Sequence, residues 1–213
     1  MVTKIYLVRH GQSKANELDL FLGHGDMDLT QKGFDQAQLL ANHLSTISVD
    51  GIYSSDLLRA YHTAQATAKL KNLPVIKEKG LREIDCGEWD FMKFDDLRVK
   101  FKDSFDVWVN NVAEARCDGG ESVEEVQNRM VETIRKIADS NSGKTILIFS
   151  HATSIRCFAG YCTGKGKHGV SEIPWANNCS LTEVDYVNRN FELINYGKDD
   201  YLGSISTALP NDV

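Results

Sequence analysis

The run "TILIF" at residues 145–149 is continuously apolar after its first residue, and its length is that of a strand rather than a helix. A strand that is apolar toward both faces must be covered on both, which places it centrally in a parallel sheet between helix layers. The other segments fit that plan, because strand-like and helix-like stretches alternate along the chain. "KIYLV" at 4–8 is a first strand, "GIYSS" at 51–55 a second and "LPVIK" at 73–77 a short third. Thr30 offers an N-cap for a helix to about Leu44, with Phe34, Ala37, Leu40, Ala41 and Leu44 along one face. Asp56 is placed to cap the alanine-rich helix "LLRAYHTAQATAKL". Ser122 followed by Glu125 is a capping-box signal, and Val123, Val126, Met130, Ile134 and Ile137 give the next helix an apolar stripe. A further helix is expected at 152–161, and "SLTEVDY" with "FELINYG" reads as a closing strand pair. The expected architecture is a three-layer α/β/α fold with a mainly parallel central sheet.

At 213 residues with 42% hydrophobic, the chain can bury a full core, and it reads as one domain over 1–213. Three prolines, no linker-like stretch and no internal repeat leave a domain boundary nothing to rest on. Five cysteines, Cys86, Cys117, Cys157, Cys162 and Cys179, make an odd set with no CxxC pair, and read as reduced packing residues. The apolar run near the amino terminus is too short for a signal peptide or a membrane span, so a cytoplasmic protein is expected. A net charge of -6 disfavours nucleic acid or an anionic membrane as partner. A small anionic substrate remains compatible, since distant surface charge is screened beyond about 8 Å at physiological salt.

The alternation has a chemical consequence. Arg9 and His10 follow the first strand, Arg59 lies in the first turn of the helix after the second, and His151 follows "TILIF". All four therefore reach the carboxyl edge of one sheet, where open α/β sheets bind ligands. Arginine offers a planar fork of donors matched to phosphate oxygens, and a neutral histidine is a nucleophile near pH 7 when its other nitrogen is held by an acceptor. Gly11 lets the backbone bend close enough to supply that acceptor. A departing alcohol oxygen also needs a proton, and on residue chemistry Glu83 leads a set that includes Asp85, Glu88 and Asp90.

These residues resemble the histidine phosphatase superfamily, in the branch shared by cofactor-dependent phosphoglycerate mutases and small-molecule phosphatases. "LVRHGQSKAN" resembles its arginine-histidine-glycine signature with a downstream asparagine, and "DMDLTQKGFDQAQLLA" the segment that follows. "SSDLLRAYHTAQ" is similar to the second arginine motif, "LREIDCGEW" to the glutamate loop, "GGESVEEV" to the glycine-glutamate-serine helix start and "IFSHATSIR" to the second histidine motif. Six motifs in order are far more specific than any one alone. The resemblance implies a phosphoglycerate mutase-like fold, phosphorylation of His10, a phosphate site of Arg9, Asn16, Arg59 and His151, and Glu83 as proton donor. It implies a metal-independent reaction without cofactor on a small phosphorylated metabolite, and, dimers being common among similar proteins, a candidate homodimer. The loop around Leu22, Gly23 and His24 occupies the family's position for substrate contact. Two positions depart from the pattern: Ala152 stands where glycine usually follows the second histidine, and Phe91 where glycine usually follows the tryptophan by two.

Three function classes compete. The mutase branch typically follows its glutamate with arginine-histidine-tyrosine-glycine and carries a C-terminal lid, whereas here Glu83 is followed by Ile84, Asp85, Cys86, Gly87, Glu88 and Trp89. A non-catalytic binding protein is expected to lack His10, an arginine or Glu83, and all are present. Hydrolysis of phosphomonoesters is the expected activity. A helical lid excursion is expected at about 91–118, where Phe91, Phe94, Phe101, Phe105 and Trp108 suit either a cover over the leaving group or ordinary helix packing. Lys93, Arg98, Lys100 or Lys102 would read a polar end of the substrate. "TGKGKHG" lacks the spacing of a phosphate loop and reads as a surface loop. His24, His43, His62 and His168 show no metal-ligand spacing. Asn177, Asn178 and Ser180 read as a turn in preference to a contact with the site.

Overall fold

The structure, a computed structural model, describes residues 1–209. The chain begins with β1 (Thr3–Arg9), a short helix α1 (Lys14–Glu17), α2 (Gln31–His43), β2 (Gly51–Ser54), α3 (Leu58–Lys71) and β3 (Val75–Lys77). Two short helices, α4 (Phe94–Lys100) and α5 (Lys102–Asn110), lead to the long helix α6 (Val123–Ser140). Then come β4 (Thr145–Ser150), α7 (Ala152–Cys162), β5 (Leu181–Val187) and β6 (Asn190–Lys198). The six strands form one sheet in the order β3-β2-β4-β1-β5-β6, parallel except at β5 and β6. Among the described residues, no helix is long and apolar enough to cross a membrane.

The continuous apolarity of β4 is explained by the two faces of the sheet. Successive side chains point to opposite faces, so Ile5, Leu7, Ile146 and Ile148 pack with Met130, Ile134 and Phe158 of α6 and α7. Val8, Ile52, Leu147 and Phe149 turn the other way, toward Ala37, Leu40 and Ala64 of α2 and α3. The layered α/β expectation holds. In the helices, Thr30 caps α2 by accepting from the Gly33 N–H, and Ser122 with Glu125 closes a capping box on α6.

Two local expectations are corrected. Asp56 does not cap α3; both of its oxygens are held by Arg82 at 2.6 and 2.7 Å, and the Leu58 N–H donates instead to Asp26 Oδ1 at 2.9 Å. Phe34 is 41% exposed, because the buried stripe of α2 runs through Ala37, Leu40 and Ala41 and leaves Phe34 at its rim beside His62.

Register sets the functional edge. In the parallel pair β1 and β4, Arg9 stands opposite Ser150, and the His10 N–H continues the ladder to the Ser150 carbonyl at 3.0 Å. The next residues, His10 and His151, therefore leave adjacent strands side by side. After β1 the chain runs hard against α2: a Cβ on Gly33 would stand 2.1 Å from the Gln12 carbonyl oxygen, and one on Gly11 would stand 2.5 Å from that of Gly33. Neither backbone can yield without moving the loop that carries His10. Gly33→Ala is therefore expected to lower unfolding free energy by about 1–3 kcal/mol, the usual cost of overpacking, as measured by urea denaturation.

Candidate active site

One cleft at the carboxyl edge of the sheet is lined by Arg9, His10, Asn16, Leu22, Arg59, Glu83 and Phe94. His151 lies directly behind, its ring centroid 5.2 Å from that of His10. The fold thus gathers residues from β1, α3, the segment after β3, and the β4 to α7 junction.

His10 is held by its own loop. Its Nδ1 donates to the Gly11 carbonyl at 2.7 Å, which leaves Nε2 as the ring atom without a proton. The His10 carbonyl accepts from the Asn178 side chain at 3.0 Å and from the Cys179 N–H at 3.2 Å. Asn178 also donates to Asn16 Oδ1 at 3.2 Å, while its own backbone N–H and side-chain oxygen bond Thr207. The turn reading of 177–180 is correct for the Asn177 carbonyl, which accepts the Ser180 N–H at 3.1 Å, but Asn178 also reaches the site.

Arg9 and Arg59 are each 1% exposed. Their hydrogen bonds go to backbone carbonyls: Arg9 to Ala176 at 2.5 Å, and Arg59 to Gly25 at 3.0 Å and Gly23 at 2.8 Å. Burial lowers Arg9 to about 10, still a cation at neutral pH, and lowers Arg59 as well; a guanidinium keeps its charge in proteins. Among the described residues, Arg9 Nε and both ring nitrogens of His151 are buried without a partner. Polar atoms left so in the interior are expensive unless a ligand completes them. Burial first, and the positive charge of Arg59 next, push both His10 and His151 well below the ordinary histidine value of 6.5.

Glu83 is positioned by the start of α7. Its carboxylate accepts from the N–H groups of Ile84 at 3.0 Å, Thr153 at 3.1 Å and Ser154 at 3.1 Å, and from the Ser154 hydroxyl at 3.3 Å. Ala152, where a glycine was the family pattern, sits at the cleft wall as the first residue of that helix. Of the four carboxylates weighed from sequence, Glu83 is the one that lines the cleft; Asp90 instead accepts from the Gly23 and Gly25 N–H groups at 2.8 and 2.9 Å.

Away from the cations the wall is apolar, built from Leu20, Phe21, Leu22, Phe94, Trp108, Trp175 and Leu209. Both readings of the aromatic stretch hold in part: Phe94 and Trp108 face the cleft, while Phe105 packs beneath against Trp89 at 5.6 Å. Phe91 is corrected. It is 50% exposed and outside the cleft, with φ at 64°, the left-handed region that glycine favours. Gly23 and His24 are not at the wall either: Gly23 serves through its carbonyl on Arg59, and His24 Nε2 bonds the Glu83 carbonyl from behind at 3.1 Å. The basic residues assigned to a polar substrate end are also corrected. Lys93, Arg98, Lys100 and Lys102 do not line the cleft; Arg98 and Lys100 cover Phe105 and Phe101, and Lys102 pairs with Asp106. Trp175 and Leu209 carried no local sequence signal, since only the return of the chain after α7 and after β6 brings them here.

The two buried histidines make stability depend on pH with a defined sign. Each binds a proton less readily folded than unfolded, so stability is full above about pH 6.5 and is lost as pH falls below it. The loss reaches at most about 1.4 kcal/mol per pH unit for each histidine. Urea denaturation is expected to show unfolding free energy falling from about pH 7 to about pH 5.5, and a much smaller fall in His10→Asn/His151→Asn.

The profile of the histidine phosphatase superfamily (branch 1) matches residues 5–199. "Phosphoserine phosphatase 1" of Hydrogenobacter thermophilus is 38% identical over 161 residues, 76% of this chain and 75% of that protein. A Photorhabdus laumondii protein named "Probable phosphoglycerate mutase GpmB" is 31% identical over 183 residues, covering 86% of this chain and 85% of that one. Among solved structures, Bacillus stearothermophilus YhfR superposes with a TM-score of 0.89 at 26% identity, covering 94% of this chain and 99% of its own. The alpha-ribazole phosphatase of Shigella flexneri gives 0.81 at 26% identity, covering 92% of this chain and 96% of its own. With the profile spanning nearly the whole chain, this chain belongs to branch 1 of the histidine phosphatase superfamily.

Proposed function

We propose that this enzyme hydrolyses small phosphomonoesters through a phosphohistidine on His10. The observation that carries the reading is the His10 Nδ1 to Gly11 bond beside two buried guanidinium groups. It prepares Nε2 as a nucleophile next to fixed positive charge. In the first step Nε2 attacks phosphorus and the phosphorus to alkoxy-oxygen bond breaks. Arg9, Arg59, Asn16 and His151 donate to the three equatorial oxygens, and the acid form of Glu83 gives its proton to the leaving oxygen. In the second step the Glu83 carboxylate takes a proton from water, the hydroxyl oxygen bonds to phosphorus, the phosphorus to Nε2 bond breaks and phosphate departs. The guanidinium groups supply the charge stabilisation, so the reaction is metal-independent.

The relatives named as phosphatases support a phosphomonoester hydrolase, and the wall of the cleft supports hydrolysis over mutase chemistry. A mutase substrate carries a second anionic group, yet among the described residues the charged groups of the cleft, Arg9, Arg59 and Glu83, stand at the phosphoryl end. The remaining wall of Leu20, Leu22, Phe94, Trp108 and Trp175 suits an uncharged, apolar leaving group.

Rapid quenching with phosphorus-labelled phenyl phosphate is expected to yield an acid-labile, base-stable label on His10 that is absent from His10→Ala. Label retained by that variant overturns the nucleophile. In the same assay kcat/KM for phenyl phosphate is expected to exceed that for phosphoserine by about 10-fold or more, each buried apolar group adding roughly 1–3 kcal/mol of discrimination. A preference for phosphoserine would refute the apolar leaving group.

A further inference from the structure

The segment that delivers Glu83 has no ladder to hold it. Apart from one turn of 3-10 helix at Lys79–Leu81, residues 82–86 belong to no helix or strand, although Leu81, Ile84 and Cys86 are fully buried. Buried backbone groups outside secondary structure must find side-chain partners. Several of them converge on one residue of α6, while the Ser154 hydroxyl also donates to the Arg82 carbonyl at 2.7 Å and His24 to the Glu83 carbonyl at 3.1 Å. Arg129 Nη1 donates to the Gly80 carbonyl at 3.0 Å and the Arg82 carbonyl at 2.9 Å, and Nη2 donates to the Glu83 carbonyl at 3.2 Å. Its Nε and Nη2 also grip both oxygens of Glu121 at 2.9 and 2.8 Å. Glu121 completes the loop from the other side, since its Oε2 accepts the Asp85 N–H at 2.8 Å.

We infer that Arg129, braced by Glu121, is a positioning residue for the reaction: it sets where the Glu83 carboxyl stands relative to the leaving oxygen. The inference rests on the reading of Glu83 as proton donor. Two elements share the task. The first turn of α7 holds the carboxylate oxygens, and the Arg129 and Glu121 pair holds the backbone on either side, so the carboxyl swings about neither end. Arg129 does not itself line the cleft; its hydrogen bonds reach the chemistry through the Glu83 backbone, and its charge, which Arg129→Lys keeps, also bears on His151. A planar fork is required for this contact: three carbonyls and a carboxylate at fixed angles exceed what a lysine ammonium can satisfy at once.

The test compares phenyl phosphate, a poor leaving group, with p-nitrophenyl phosphate, a good one, in wild type, Glu83→Gln, Arg129→Met and the double variant. For Arg129→Met, kcat/KM on phenyl phosphate, which reads departure of the alcohol and not the water attack shared by both substrates, is expected to fall about 10- to 100-fold, as misplacing a catalytic group by an ångström does. On p-nitrophenyl phosphate the fall is expected to stay below about 3-fold, because that alcohol departs with little protonation. In the Glu83→Gln background the same substitution is expected to cost nothing further on phenyl phosphate. Arg129→Lys, the variant to be read should the methionine form not fold, is expected to lose about 3-fold or more on phenyl phosphate alone. Equal losses on both substrates, or a loss that multiplies with Glu83→Gln, overturns the positioning role and leaves Glu83 as proton donor. Glu83→Gln with wild-type turnover of phenyl phosphate overturns the proton-donor reading itself, and the positioning role with it.

Discussion

Two guanidinium groups lie in the interior of this protein and spend their hydrogen bonds on carbonyl oxygens rather than on carboxylates. Burying a charge without pairing it is among the costliest things a fold can do. Arg9 and Arg59 are held there by the sheet edge, the start of α3 and the loop at 23–25. Their charge has two effects. It adds to burial, the larger cause, in lowering His10 and His151, and it leaves the cleft with an unmet demand for an anion. Under the proposed function a phosphoryl dianion meets that demand, and donors fixed in place stabilise its equatorial oxygens through the transfer.

The rest of the fold serves this arrangement. Parallel pairing of β1 with β4 in a register that sets Arg9 against Ser150 brings the two histidine rings edge to face, 5.2 Å between centroids. The cores on the two faces of the sheet fix the strands, and the close approach of Gly11 and Gly33 sets the path of the loop after β1. Helices α4 and α5 join one of those cores through Leu97, Phe105 and Trp108, so the apolar wall is an extension of the interior. A leaving group entering beside Phe94 and Trp108 meets side chains already braced from beneath by Trp89 and Phe21.

What was legible in the sequence follows the range of the forces involved. Strands β1 and β4, the Thr30 cap and the Ser122 and Glu125 box depend on residues within a few positions of each other. The gathering of Arg9, His10, Arg59 and His151 was legible because alternation fixes which ends of which elements meet. Contacts between distant segments were not. Asp26 caps α3 from a loop 32 residues away, Asp56 is drawn off by Arg82, and Trp175 reaches the wall only through the path of the chain after α7. The lysines and arginine of α4 and α5 illustrate the same limit: charge marks a surface residue, but which side of a helix faces the cleft depends on how the helix docks. Asn16 was placed at the phosphate site, and its side-chain oxygen is taken up by Ser13 and Asn178, which leaves its amide nitrogen as the group available to an oxyanion.

The central claim is that burial and the neighbouring positive charge hold His10 neutral while the Gly11 carbonyl fixes its tautomer, which leaves Nε2 as the nucleophile. Nitrogen NMR of the ligand-free enzyme with labelled histidine reads this directly at neutral pH. The expected spectrum shows His10 uncharged, with its proton on Nδ1 and a bare Nε2. An imidazolium signal for His10, or the tautomer with the proton on Nε2, would contradict the claim.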